Sequence, residues 1–215
     1  MSTVSTPEAV FDRRISLRWV PPLHYVNIIG IMGSGKTTLA RKIYARYKWG
    51  KKSSEVVSVY FQYEHDKELH EEFWRTIARI RGKKYVFVVV DDVSFETGHD
   101  KTTRRFLREL SKIRHRNRYV KRWVLVTIIH YSKAAVPFLR KGHTKVLTSL
   151  TDPEEIEQLR WSFTTQALWD YYDVYRMDPT GHWVLFNWLG NIFISKIYKP
   201  ARRCWDIVVN GPECV

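Results

Sequence analysis

Residues 25–38 read Tyr25-Val26-Asn27-Ile28-Ile29-Gly30-Ile31-Met32-Gly33-Ser34-Gly35-Lys36-Thr37-Thr38. An apolar run of strand length, Tyr25 to Ile29, breaks into a glycine-rich bend. A segment of helical period follows, with Leu39, Ile43 and Tyr47 on one face. Gly30 to Thr37 fit G-x-x-x-x-G-K-[ST] in full, and strand-before, helix-after is the context that this pattern requires. Gly30, Gly33 and Gly35 let the backbone curl so that successive N–H groups face phosphate oxygens, with a helix N-terminus behind them. Ser34 lies within that bend. Lys36 is placed to reach the β- and γ-phosphates of a nucleotide, Thr37 to hold magnesium through its hydroxyl, and Thr38 to add a phosphate contact. The competing reading is a chance glycine turn, which the strand–bend–helix context disfavours.

A second motif lies 55 residues after Lys36: Tyr85-Val86-Phe87-Val88-Val89-Val90-Asp91-Asp92, an apolar strand that ends in two acids. It is expected beside the first strand, with Asp91 linked to the metal and Asp92 polarising an attacking water. That task needs a carboxylate within hydrogen-bond reach. Glu96 and Glu64 are alternatives for the base.

Working outward, apolar runs of strand length alternate with segments of helical period. The pattern implies an α/β fold with a mainly parallel sheet flanked by helices. Strands are expected over 56–61, 85–90, 123–129 and 144–148. Helices are expected from Asp66, with Leu69, Phe73, Ile77 and Ile80 inward, and from Lys101, with Phe106, Leu110 and Ile113 inward. From Asp152 the texture changes. Asp152-Pro153 opens what reads as one long helix, Glu154 to Met177, and Leu189-Gly190-Asn191 joins Trp183–Trp188 to Ile192–Tyr198 as a β-hairpin. The whole reads as a single domain, residues 1–215: a core over about 20–150 and a C-terminal helix and β-hairpin elaboration over about 152–200. Most of the nine tryptophans fall at apolar positions, where core packing is the simpler account.

Thirty-six Lys and Arg against 22 Asp and Glu give a formal charge of +14, which favours polyanion partners. The densest stretch is Lys101 to Arg122, with ten basic residues and one acid, Glu109. No apolar stretch is long enough to span a bilayer, and Met1 to Arg18 contain no secretory apolar run. The expectation is an intracellular, soluble protein. Cys204 and Cys214, the two cysteines, are expected as free thiols, with a C-terminal staple as the alternative.

At the tip of the expected fourth strand, His130 is either a γ-phosphate sensor or a strand-end histidine satisfied by backbone. Arg122, just before that strand, is the first candidate for an arginine lent to a neighbouring subunit, with Arg118 next.

These residues together resemble the small genome-packaging ATPases of membrane-containing icosahedral viruses, the archaeal turreted icosahedral viruses among them. That group lies within the FtsK–HerA superfamily of ring-forming DNA motors. Gly30 to Thr38, the strand ending Asp91-Asp92, the polar tip at His130, an arginine before that strand and the C-terminal hairpin carry the resemblance. Only the two nucleotide motifs are specific. The likeness implies a P-loop NTPase fold of the RecA/FtsK kind and ATP-driven translocation of double-stranded DNA into a preformed viral capsid. It further implies a hexameric or similar ring with an arginine acting in trans, docking at the capsid or portal region, and a place in the host cytoplasm or on the virion. Asp92 and His130 depart from the family's commoner glutamate and amide.

Two other readings fit the bend. A small-molecule or nucleoside kinase also begins with such a loop, and Arg114 to Arg122 would then serve as a lid. A non-catalytic nucleic-acid-binding module is the third, against which intact Lys36, Thr37 and Asp91 argue.

Overall fold

The computed structural model describes residues 18–93, 101–130, 142–197 and 204–211. The apolar runs become strands that sit together because each is buried on both faces, as parallel strands covered by helices must be. They are β1 (Leu23–Gly30), β2 (Val56–Gln62), β3 (Tyr85–Asp91), β4 (Arg122–His130) and β5 (Thr144–Leu147). Between them run α1 (Lys36–Lys48), α2 (Lys67–Arg79) and α3 (Lys101–Leu110). After β5 come α4 (Glu154–Leu159), α5 (Thr165–Met177), the hairpin β6 (Trp183–Trp188) and β7 (Asn191–Lys196), and β8 (Ile207–Asn210). Among the described residues the eight strands form one sheet, in the order β7-β6-β5-β1-β4-β3-β2-β8. All neighbours are parallel except β5–β6 and β6–β7.

Side-chain alternation divides the interior into two layers. On one face Val26 and Ile28 of β1 pack with Leu39, Ile43, Tyr44 and Tyr47 of α1. On the other, Tyr25 and Ile29 share a cluster with Phe73 and Ile77 of α2, Phe106 and Leu110 of α3, and Leu168 and Tyr171 of α5. Truncating a fully buried ring such as Phe73 to alanine would cost about 3–5 kcal/mol.

Three expectations need correction. The strand ending in the acids is not beside β1, because β4 lies between β1 and β3. Order in a sheet follows long-range pairing, and a local pattern does not encode it. The long helix is two. After Leu159 the chain turns, with Ser162 N–H donating to Leu159 O at 2.8 Å. Thr164 then caps α5, its hydroxyl accepting from Ala167 N–H at 3.2 Å. A cap satisfies an amide that a continuous helix would have bonded internally. Cys204 is disulfide-bonded, not a free thiol; Cys214 lies outside the described residues.

The C-terminal elements belong to the main sheet. The hairpin turns on Leu189 (φ 53) and Gly190 (φ 89), the left-handed pair that a two-residue turn needs. The Tyr171 hydroxyl donates to Trp183 O at 2.8 Å and ties α5 to β6. At the opposite edge β8, which the sequence pattern did not suggest, pairs with β2. It is held there by Asp206, whose Oδ2 accepts from Tyr44 OH, Ser58 N–H and Ser58 OH at 2.7–2.8 Å. Burial works against the Asp206 carboxylate, yet these donors hold it below the usual range.

Candidate active site

The bend between β1 and α1 folds as the glycines require. Gly33 and Gly35 have φ of +77° and +81°, in the left-handed region that side chains rarely adopt. α1 has no capping side chain and no acid in its first turn, whereas Asp66 caps α2 with bonds to the Glu68 and Leu69 amides. The first amides of α1 therefore lack intrahelical partners at a positive helix end, an arrangement that would favour an anion. Below the bend, hydroxyls hold its shape. Ser34 Oγ donates to Ile31 O at 2.8 Å and meets Thr148 Oγ1 at 2.7 Å, while Ile31 N–H donates to Ser149 Oγ at 2.9 Å. Gly30 lies over these hydroxyls, with no room for a side chain.

Lys36 is 5% exposed and donates to Gly30 O (2.9 Å) and Ile31 O (2.6 Å). Burial lowers its pKa, and the Asp91 and Asp92 carboxylates work in the opposite direction. An arriving phosphate would give this ammonium a stronger partner than two neutral carbonyls. The Thr37 hydroxyl donates to Asp91 Oδ2 at 2.8 Å across the sheet. Asp91 is 7% exposed; its Oδ2 also accepts from Tyr60 OH at 2.8 Å, and its Oδ1 from the Asp92 amide at 2.8 Å. Burial first, and Asp91 next, raise the Tyr60 pKa, so this hydroxyl remains a donor.

Asp92 takes φ 58, a conformation that aspartate tolerates better than most residues. Its half-buried carboxylate reaches His130 Nε2 at 3.1 Å. His130 Nδ1 lies 3.4 Å from Lys36 Nζ. An ammonium can only donate, so Nδ1 accepts and Nε2 carries the hydrogen toward Asp92. The intervening strand β4 is what makes this bridge. Gly30 and His130 are directly opposite in the β1–β4 register, so the polar tip lies between the cradle and the acids.

A cavity of about 360 Å³ collects Gly33, Gly35, Lys36, Thr37, Thr38, Asp91, Asp92 and His130. Tyr60 and Gln62 complete its wall, and neither they nor Thr148 and Ser149 below the bend were singled out from sequence. Each is an isolated polar atom in or beside an apolar strand, and only tertiary pairing shows its use. The fold matches known proteins.

It is shared with viral genome-packaging ATPases. The DNA-packaging ATPase B204 from Sulfolobus turreted icosahedral virus aligns with a TM-score of 0.56 at 12% identity, over 84% of this chain and all of that one. The genome-packaging NTPase B204 from Sulfolobus turreted icosahedral virus 2, in complex with AMPPCP, aligns at 0.57 and 11%, over 83% of this chain and all of that one. Its complex with ATP-gammaS gives 0.56 and 11%, over 82% and 98%. No family model and no curated protein matches the sequence.

The other predicted residues are elsewhere. Arg122 begins β4, at the opposite end from His130 and roughly 26 Å away at the usual strand rise. Arg118 is exposed in the turn before it. Glu64 Oε1 accepts from Asn210 Nδ2 at 2.9 Å, toward β8 and outside the cavity wall. Glu96 falls outside the described residues.

Proposed function

We propose that this chain is an ATP-hydrolysing motor that moves double-stranded DNA into a viral capsid. One observation carries the reading: a buried lysine, a Thr–Asp pair and an Asp–His pair converge on one cavity at the C-terminal ends of adjacent strands. Each group has a role in hydrolysis. The α1 amides and Lys36 bind the β- and γ-phosphates, with Thr38 beside them. Asp92 accepts the proton of the water that attacks the γ-phosphorus, and His130 orients the carboxylate from one side while reading the phosphate from the other.

Thr37 Oγ1 and Asp91 are the oxygen donors that a hard divalent cation prefers, and they already face each other at 2.8 Å. They would hold magnesium, which when bound neutralises charge on the phosphates. Tyr60 keeps Asp91 oriented toward Thr37.

DNA as substrate is supported by the shared fold with proteins described as DNA-packaging and by the charge of +14. In this reading the motor is a hexameric or similar ring that docks on a capsid or portal in the host cytoplasm, or stays with the virion. An arginine from a neighbouring subunit supplements Lys36. Arg122 lies too far away to reach its own chain's cavity, so in this role it would have to serve another copy. No described helix is long and apolar enough to cross a membrane.

The test is phosphate release with magnesium, with and without duplex DNA, in wild type and Lys36→Ala. Turnover that DNA raises and Lys36→Ala abolishes is expected. Turnover that requires a small acceptor and ignores DNA would replace the motor by a kinase.

A further inference from the structure

A second concavity, of about 630 Å³, lies between α2 and α3 and shares no residue with the nucleotide cavity. Both helices follow strands that carry the site, β2 with Gln62 and β3 with Asp91. Their N-termini therefore start at the nucleotide end of the sheet. Lys67 and Arg75 face the groove from α2, Lys101 and Arg105 from α3, and Arg116 from the turn beyond. Against these five cations stand two carboxylates, Glu71 and Glu109. Glu109 pairs with Arg105 at 3.3 Å and with Arg116, which engages those two guanidiniums and leaves Lys67, Arg75 and Lys101 as the cations outside that cluster.

The floor is aromatic but closed. Phe106 is 3% exposed and stacks on His70 at 4.5 Å, and the Arg116 guanidinium lies over Trp74 at 5.1 Å. Phe106 and His70 are buried and Arg116 covers one face of the partly exposed Trp74, so single-strand recognition by stacking is disfavoured. The groove presents ammonium and guanidinium heads, which fit a phosphate backbone.

We propose that the α2–α3 groove grips the backbone of duplex DNA. The proposal rests on the motor reading and assigns it a gripping surface. Lys67 to Arg75 spans about 12 Å of helix. At 3.4 Å per phosphate along each strand, that length meets roughly three or four phosphates of one strand. A duplex held there bears on the two helices that follow the cavity's strands, which is how it would accelerate hydrolysis. The groove also absorbs part of the basic charge crowded into Lys101 to Arg122.

The double variant Lys67→Glu/Lys101→Glu tests this. Both residues are exposed, and Lys67 opens α2 behind its Asp66 cap, where an acid is favourable, so the variant is expected to keep the fold. Binding of a short labelled duplex to the full chain, without nucleotide, is measured across a salt series. Losing two phosphate contacts lowers the log–log salt slope by about 1.8 and weakens binding on the order of 50-fold near 0.1 M salt. Basal ATP hydrolysis and sedimentation mass are expected to match wild type, while DNA stimulation disappears. An unchanged slope and affinity would overturn the proposal. So would a change of mass accompanying the loss, which makes the groove a contact between copies, or tighter binding of single-stranded than duplex DNA. If the wild type hydrolyses no ATP, the motor reading fails, and the duplex-binding result still decides the groove by itself.

Discussion

Gly30→Ala should damage fold and site together. A Cβ at residue 30 would come 2.1 Å from Thr148 Oγ1, 2.8 Å from Ser34 Oγ and 3.1 Å from Ser149 Oγ. Thr148 cannot swing away without loss, because its Oγ1 has its single proton to share between Ile29 O (3.1 Å) and Ser34 Oγ (2.7 Å). Overpacking of this kind costs about 1–3 kcal/mol, and each hydrogen bond that breaks adds about 1 kcal/mol. A total near 2–5 kcal/mol follows, a large part of an ordinary domain's stability. Urea unfolding measures it, with ATP titration on the same samples, since a displaced bend also misplaces the cradle amides. Removing the obstructing hydroxyl provides the control. Gly30→Ala/Thr148→Ala should be more stable than the sum of the two single variants by at least about 1 kcal/mol. A single variant as stable as wild type, or a strictly additive double variant, would refute the packing argument.

Asp92→Asn keeps the left-handed backbone and an acceptor for His130 but removes the charge. Hydrolysis should fall about 10²–10⁴-fold while ATP binding persists, as paired turnover and titration assays would report. At the other end of the sheet, burial, with His143 second, lowers His24 from 6.5 to about 3. The folded state keeps this ring neutral while the unfolded chain takes up a proton below its own pKa. Stability is therefore unaffected above about 6.5 and falls by about 1.4 kcal/mol per pH unit until the folded pKa is reached. Unfolding free energies over that window check the slope, and a His24 proton resonance that stays flat to about pH 4 checks the assignment.

Much of the sheet was readable because its strands, buried on both faces, are continuous apolar runs, as in Val86 to Val90. The cradle and the paired acids were readable because each is contiguous in sequence. What escaped depends on distant partners. The place of β4 between β1 and β3 is fixed by pairing across many residues, and β8 is a four-residue strand secured by Asp206 on Ser58. The break after Leu159 had a local signal, Thr164 as a cap, but the apolar spacing on both sides masked it. Within the site, Asp92 and His130 were named separately. That they touch, and that His130 also faces Lys36, follows only from the strand order. Tyr60 sat unmarked in a run that read as core.

Titrating ATP with magnesium into the folded chain by calorimetry tests the central claim most directly. The cradle predicts one site per chain, weakened about 10- to 150-fold in Lys36→Ala as its charge-assisted bonds are lost. Folded wild-type protein that takes up no nucleotide would contradict it.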